Sequence, residues 1–134
     1  MIKKLTSYLA IAALVCVSLA SCKKDKKSTE ELILGKWFLN SYEWKYVENG
    51  EVDEGIDDWS SLGWYLEFKS DNSVIIKYGG GDPTVGSYSV LSSNKIAING
   101  EETLLSKIDE THLSLYSKET VGNDTYEDWY HFTK

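Results

Sequence analysis

The sequence predicts an all-β fold, a single eight-stranded antiparallel up-and-down barrel that follows an N-terminal segment foreign to it. Three observations point there. From residue 33 onward, short runs rich in aromatic and β-branched residues alternate with period two. Turn-forming clusters such as Ser70-Asp71-Asn72-Ser73, Asn99-Gly100 and Gly122-Asn123-Asp124 separate them at regular spacing. Eight such runs can be counted, and eight strands close into a barrel just wide enough for side chains or one small ligand. Closure also removes the unpaired edges that an open sheet leaves. An open or partly closed eight-stranded sheet is the runner-up. At 134 residues the chain has room for one domain and one core.

Residues 1–21 read as a secretory signal. Lys3 and Lys4 give a positive start, Leu9 to Leu19 is apolar but too short to span a bilayer, and Leu19-Ala20-Ser21-Cys22 closes the segment. Removing it also removes Cys16 and leaves Cys22 as the only thiol, so the mature chain has no internal disulfide to lean on. Residues 22–32 read as the modified cysteine followed by a flexible tether, because 23–29 are charged and small. Within it, Ser28 or Thr29 can cap one helical turn through Glu30-Glu31-Leu32-Ile33, which Gly35 stops.

The barrel domain occupies residues 33–134. Its first strand runs from Lys36 to Val47, and its apolar face changes sides midway, which calls for a bulge near Asn40-Ser41. Glu48 to Ser61 carries six carboxylates and no lysine, lacks a pattern, and reads as a long loop. Strands resume at Gly63–Phe68 and Val74–Tyr78. They continue at Thr84–Leu91, Asn94–Ile98, Thr103–Ile108, Thr111–Lys118 and Thr125–Thr133. Alternation places Trp37, Leu39, Trp64, Leu66, Phe68, Ile96, Ile98, Leu113, Leu115, Tyr130 and Phe132 inside.

Several of these pieces together resemble one family. Leu34-Gly35-Lys36-Trp37 enters the first strand as lipocalins do. Leu66-Glu67-Phe68-Lys69-Ser70-Asp71-Asn72, Gly86-Ser87-Tyr88-Ser89-Val90, Asn94-Lys95-Ile96-Ala97-Ile98 and Trp129-Tyr130-His131-Phe132 follow in the expected order. The chain thus resembles the small lipocalin-like lipoproteins of Bacteroidetes-type bacteria, and Leu19-Ala20-Ser21-Cys22 resembles a bacterial lipobox. The resemblance implies acylation of Cys22, with palmitate as a label for it, and a cell-envelope location, most simply the outer membrane. It also implies a small apolar ligand at the open end. Lipocalins often lay an arginine over the first-strand tryptophan. This sequence has no arginine, and Lys134 is the substitute within reach, without the planar group.

Charge narrows the function. From Ser28 onward 20 Asp and Glu stand against 8 Lys, a balance of −12, so nucleic acid is excluded as a partner. His112 and His131 fall on one outward face, too few to ligate a metal, and Glu43 and Glu67 do not form a carboxylate pair in a cleft. No nucleophile motif is present, and the reading is a non-enzymatic protein without cofactor. Two roles follow. In the first, Trp37, Trp59 and Trp64 line a site for a small apolar ligand, neutral or cationic because the acidic segment repels anions. In the second, a filled barrel docks an envelope protein through an outer aromatic face of Tyr42, Trp44, Tyr46 and Trp129. The size of the interior cavity separates the two.

Overall fold

The computed structural model describes residues 25–134; the signal segment and Cys22 lie outside the described residues. A helical turn, α1 (Thr29–Ile33), precedes nine strands. These are β1 (Gly35–Glu48), β2 (Glu51–Asp58), β3 (Tyr65–Phe68), β4 (Ser73–Lys77), β5 (Thr84–Ser92), β6 (Lys95–Ile98), β7 (Glu101–Ile108), β8 (His112–Val121) and β9 (Asp124–Thr133). All pairings are antiparallel. β1 and β3 to β9 form a ring that β1–β9 pairing closes, and β2 hangs on β1 outside that ring. The eight ring strands are those the alternation located. The barrel therefore has lipocalin-like topology.

β1 makes this arrangement possible by its length. On one edge its first part (Gly35–Phe38) pairs with β3 and its last part (Ser41–Glu48) with β2, while on the other edge Phe38–Val47 pairs with β9. Beyond the ring, β2, β1, β9 and β8 thus continue as a four-stranded wall above the barrel mouth. The expected bulge is present, with the β1–β9 register shifting between Leu39 and Ser41. Asn40 is the extra residue. Its amide Nδ2 donates to Thr133 Oγ1 at 2.8 Å and its carbonyl accepts the Trp59 N–H at 2.7 Å, so both keep partners off the regular ladder.

The segment expected as a loop from Glu48 to Ser61 is instead the β1–β2 hairpin and a 3-10 turn at Ser60–Leu62. Asn49 and Gly50 both have positive φ (51° and 81°), the two-residue turn that suits a hairpin. The alternation is missing because β2 lies on the wall, past the core, with both faces open to water; only Gly55 among its residues is more than lightly covered. The helical turn is as expected, with Ser28 and Glu31 forming a reciprocal capping box. It belongs to the barrel rather than to the tether. Ile33 is fully buried and Thr29 Oγ1 donates to the Ser93 carbonyl at 3.0 Å.

The core gathers Trp37, Leu39, Phe68, Ile96, Leu113, Leu115 and Phe132 as the alternation required, and adds Ile33, Val74, Tyr88 and Leu105. Trp64, Leu66, Ile98 and Tyr130 pack half-buried against it. At the closed end Trp37 Nε1 donates to the Ile33 carbonyl at 2.7 Å. Lys134 Nζ sits 4.3 Å from the Trp37 ring centroid and donates to the Leu32 carbonyl at 2.9 Å. Lysine here does the work of the missing arginine, as a point charge over the ring. Its stem fills the space a side chain on Gly35 would need, 3.3 Å from that Cβ position, and Gly35 has φ +111°. Lys134→Met keeps that stem and removes the charge. Its expected cost is about 1 kcal/mol, read as a fall of the thermal midpoint by roughly 4–8 °C. An unchanged midpoint would show that the ammonium adds nothing over Trp37.

Candidate functional site

The barrel interior is nearly full. Trp37 is entirely buried at the closed end and is no part of any opening. Trp59 and Trp64 stand at the mouth, half-buried, their rings edge to face with centroids 5.4 Å apart. Between Leu39, Trp64, Leu66, Ile76, Tyr130 and Phe132 a cavity of about 210 Å³ remains, opening to the surface past Tyr65, Lys77 and Tyr78. Small-molecule sites run from about 300 Å³ upward. Trp59 is held there by its N–H to Asn40 and by stacking on Tyr42 at 4.8 Å, so it closes the mouth as a plug.

The aromatic row Tyr42, Trp44 and Tyr46 is not on the outer face, where alternation without the bulge would put it. Tyr42 stands opposite Tyr130, and Tyr130 packs against the core. The bulge thus turns the whole even-numbered row toward the inner face of the wall, while Trp129 alone of the expected set is outward, packed on Tyr116 at 5.1 Å. Tyr42 touches Trp44, Trp59 and Tyr130 (centroids 5.7, 4.8 and 5.2 Å), and Tyr46 leans on Tyr126 at 5.5 Å. A half-buried aromatic surface therefore runs from the plugged mouth up the wall. Trp44 lies over Gly55 so closely that a Cβ there would meet its indole at 2.6 Å, which is why β2 has a glycine at that point.

Asp128 holds this surface together. Tyr42 O–H lies 2.5 Å from Asp128 Oδ1, Tyr46 O–H lies 2.9 Å from the same oxygen, and the two hydroxyls are 2.6 Å apart. The two hydroxyl protons are shared over these three contacts, and both phenols lie within donating reach of the one carboxylate oxygen. Burial, and then the Asp128 carboxylate, push the Tyr42 phenol far above its ordinary range. Tyr46 is also raised: the bond from Tyr42 pulls downward, but burial and Asp128 outweigh it.

On the outer face a second polar chain appears that sequence reasoning missed. Ser114 Oγ meets His131 Nδ1 at 2.8 Å, and His131 Nε2 meets Glu43 Oε2 at 2.8 Å. The imidazole thus bridges the hydroxyl and the carboxylate, one ring nitrogen to each. The chain crosses β8, β9 and β1 and stitches them together. Ser114 is only 6% exposed, so its hydroxyl ends beneath the surface. His112 lies diagonal to His131 but is committed to Asp109 and Thr111, and Glu67 faces Lys36 and Lys69 rather than Glu43. Among the described residues no group of three His, Cys, Asp or Glu is placed to hold a metal ion. The signals for both chains existed in the sequence as residue types. Their meeting required the β1–β9 register, which is set across 86 to 88 residues of chain.

No family model and no curated protein matches the sequence.

The tyrosine chain has a consequence at high pH. A phenol whose folded pKa is raised adds stability that is complete below the unfolded value near 10 and is lost as pH rises above it. Alkaline titration followed by tyrosinate absorbance is expected to leave part of the tyrosine un-ionised until the fold opens. In Asp128→Asn that fraction should ionise at lower pH. Identical titration curves for the two proteins would contradict a role for Asp128 in holding these phenols.

Proposed function

We propose that this protein is an envelope lipoprotein whose barrel is a filled scaffold and whose wall docks a partner protein. In this reading acylation of Cys22 tethers it to the outer membrane and residues 23–27 space it from the surface. The observation that carries the docking role is the contrast between the two candidate sites. The interior offers about 210 Å³ beside Trp64, whereas the wall presents a continuous aromatic surface gathered around the Asp128 carboxylate. Half-buried Trp and Tyr are the side chains that anchor protein interfaces, because they give large contact area at small entropic cost. Rigid strands hold them here, so little further ordering opposes association. The hydroxyl that ends the Ser114–His131–Glu43 chain lies beneath the surface, out of reach of a substrate, which supports a non-enzymatic role. The carrier reading, with a ligand at Trp37, Trp59 and Trp64, would need the plug to leave.

Site-specific photo-crosslinking in the producing cell tests this. A photoreactive residue at position 44 is expected to give one discrete adduct, and the same residue at the exposed Val85, in β5 outside the wall, none. Wild-type protein should take up labelled palmitate and sediment with membranes, and Cys22→Ala should do neither. Equal adducts from both positions, or none, would remove the docking role. Equal labelling of Cys22→Ala would remove the anchor.

A further inference from the structure

We propose that the outer edge of β2 accepts an extended, lysine- or arginine-bearing segment of the partner as a further strand. This names the partner's chemistry and its pairing mode, and it rests on the docking role proposed above. The observation behind it is a free sheet edge. Among the described residues β2 pairs only with β1, over its whole length from Glu51 to Asp58 and without a register shift. In a two-residue hairpin the closing pair, here Glu48 and Glu51, exchanges both hydrogen bonds, and bonding alternates from there. Val52, Glu54, Ile56 and Asp58 therefore turn their backbone N–H and C=O away from β1. That is a regular row of unmet donors and acceptors on a strand longer than the average.

Natural edges are commonly blunted by charged side chains, lysine above all, or by proline, a bulge or brevity. Of these β2 has only charge, and all of it is negative. It carries Glu51, Asp53, Glu54, Asp57 and Asp58, with Lys45 of β1 the nearest opposing charge, 3.9 Å from Glu54. Those carboxylates exclude a second copy of this chain, since pairing β2 with itself would set carboxylate against carboxylate. They favour a cationic strand for the same reason. Val52 and Ile56 are 58% and 63% exposed on the side that also bears Trp129, and a groove runs beside Ile56 and Trp129. An incoming strand thus meets apolar contacts at every fourth position and acids between them. The edge is also held still. The Trp59 N–H bond to Asn40 fixes its end, so the strand-adding conformation exists before the partner arrives. The upper part of β8 is also unpaired on one side, but Lys118 and Glu119 leave it without a single sign of charge.

The test uses the purified full-length chain, isotope-labelled, and a capped peptide of alternating lysine and valine matched in length to β2. Amide hydrogen exchange is followed residue by residue. Binding should protect the amides of Val52, Glu54, Ile56 and Asp58 and leave Asp53, Gly55 and Asp57 as they were. The glutamate–valine peptide should not bind, and a backbone N-methylated lysine–valine peptide should bind at least about tenfold more weakly, as should the native peptide to Glu54→Lys. Protection without this alternation, equal binding of the acidic peptide, or no binding would overturn the proposal. Protection or shifts confined to Tyr42, Trp44 and Tyr46 would overturn the edge while leaving the docking surface in place.

Discussion

One extra residue in β1 governs what the other strands can do. Asn40 stands in the strand without a partner in β9, and around it the inward face passes from odd to even positions. Trp37 and Leu39 can therefore fill the barrel while Tyr42, Trp44 and Tyr46 stay on the same side of the sheet as it rises past the mouth. A regular strand would put one set or the other in water. Asn40 also binds the two segments that flank it, through Thr133 at the end of β9 and the Trp59 N–H after β2. The bulge thus sets the face of the wall and the position of the plug together.

The wall makes sense as the continuation of a barrel too small to hold its own aromatics. Eight strands enclose little more than a side-chain core, and here that core is stoppered by α1 at one end and Trp59 with Trp64 at the other. The remaining rings are displaced upward onto strands that have only one sheet layer behind them. They stay half-buried by packing on each other, and their hydroxyls converge on Asp128. Such a surface is ordered without being covered, which is the condition under which a partner gains contact area without paying again for rigidity.

Much of this was legible in the sequence because the barrel strands alternate cleanly. Leu113, Leu115, Tyr130 and Phe132 identify their own faces, and each is in or against the core. The bulge was legible too, from the change of face between Leu39 and Tyr42. β2 was not, because periodicity reports burial and β2 is buried on neither side; its only mark was Asn49-Gly50, the same dipeptide type that announces the hairpin at Asn99-Gly100. Without β2 nothing in the sequence continues the inner face beyond the mouth, and the aromatic row reads as outward. The polar chains through Asp128 and His131 depend on partners far apart in sequence, and residue type alone does not pair them.

Docking through the wall, rather than carriage inside the barrel, presupposes a full interior. Titration of the purified full chain with a neutral long-chain alcohol and, separately, with the matching fatty acid puts this to the test, with tryptophan emission as the readout, because Trp37, Trp59 and Trp64 all border the interior. With a full barrel, neither compound produces a saturable change. A one-to-one, saturable shift in emission would mean that the plug opens and that the barrel carries a ligand after all.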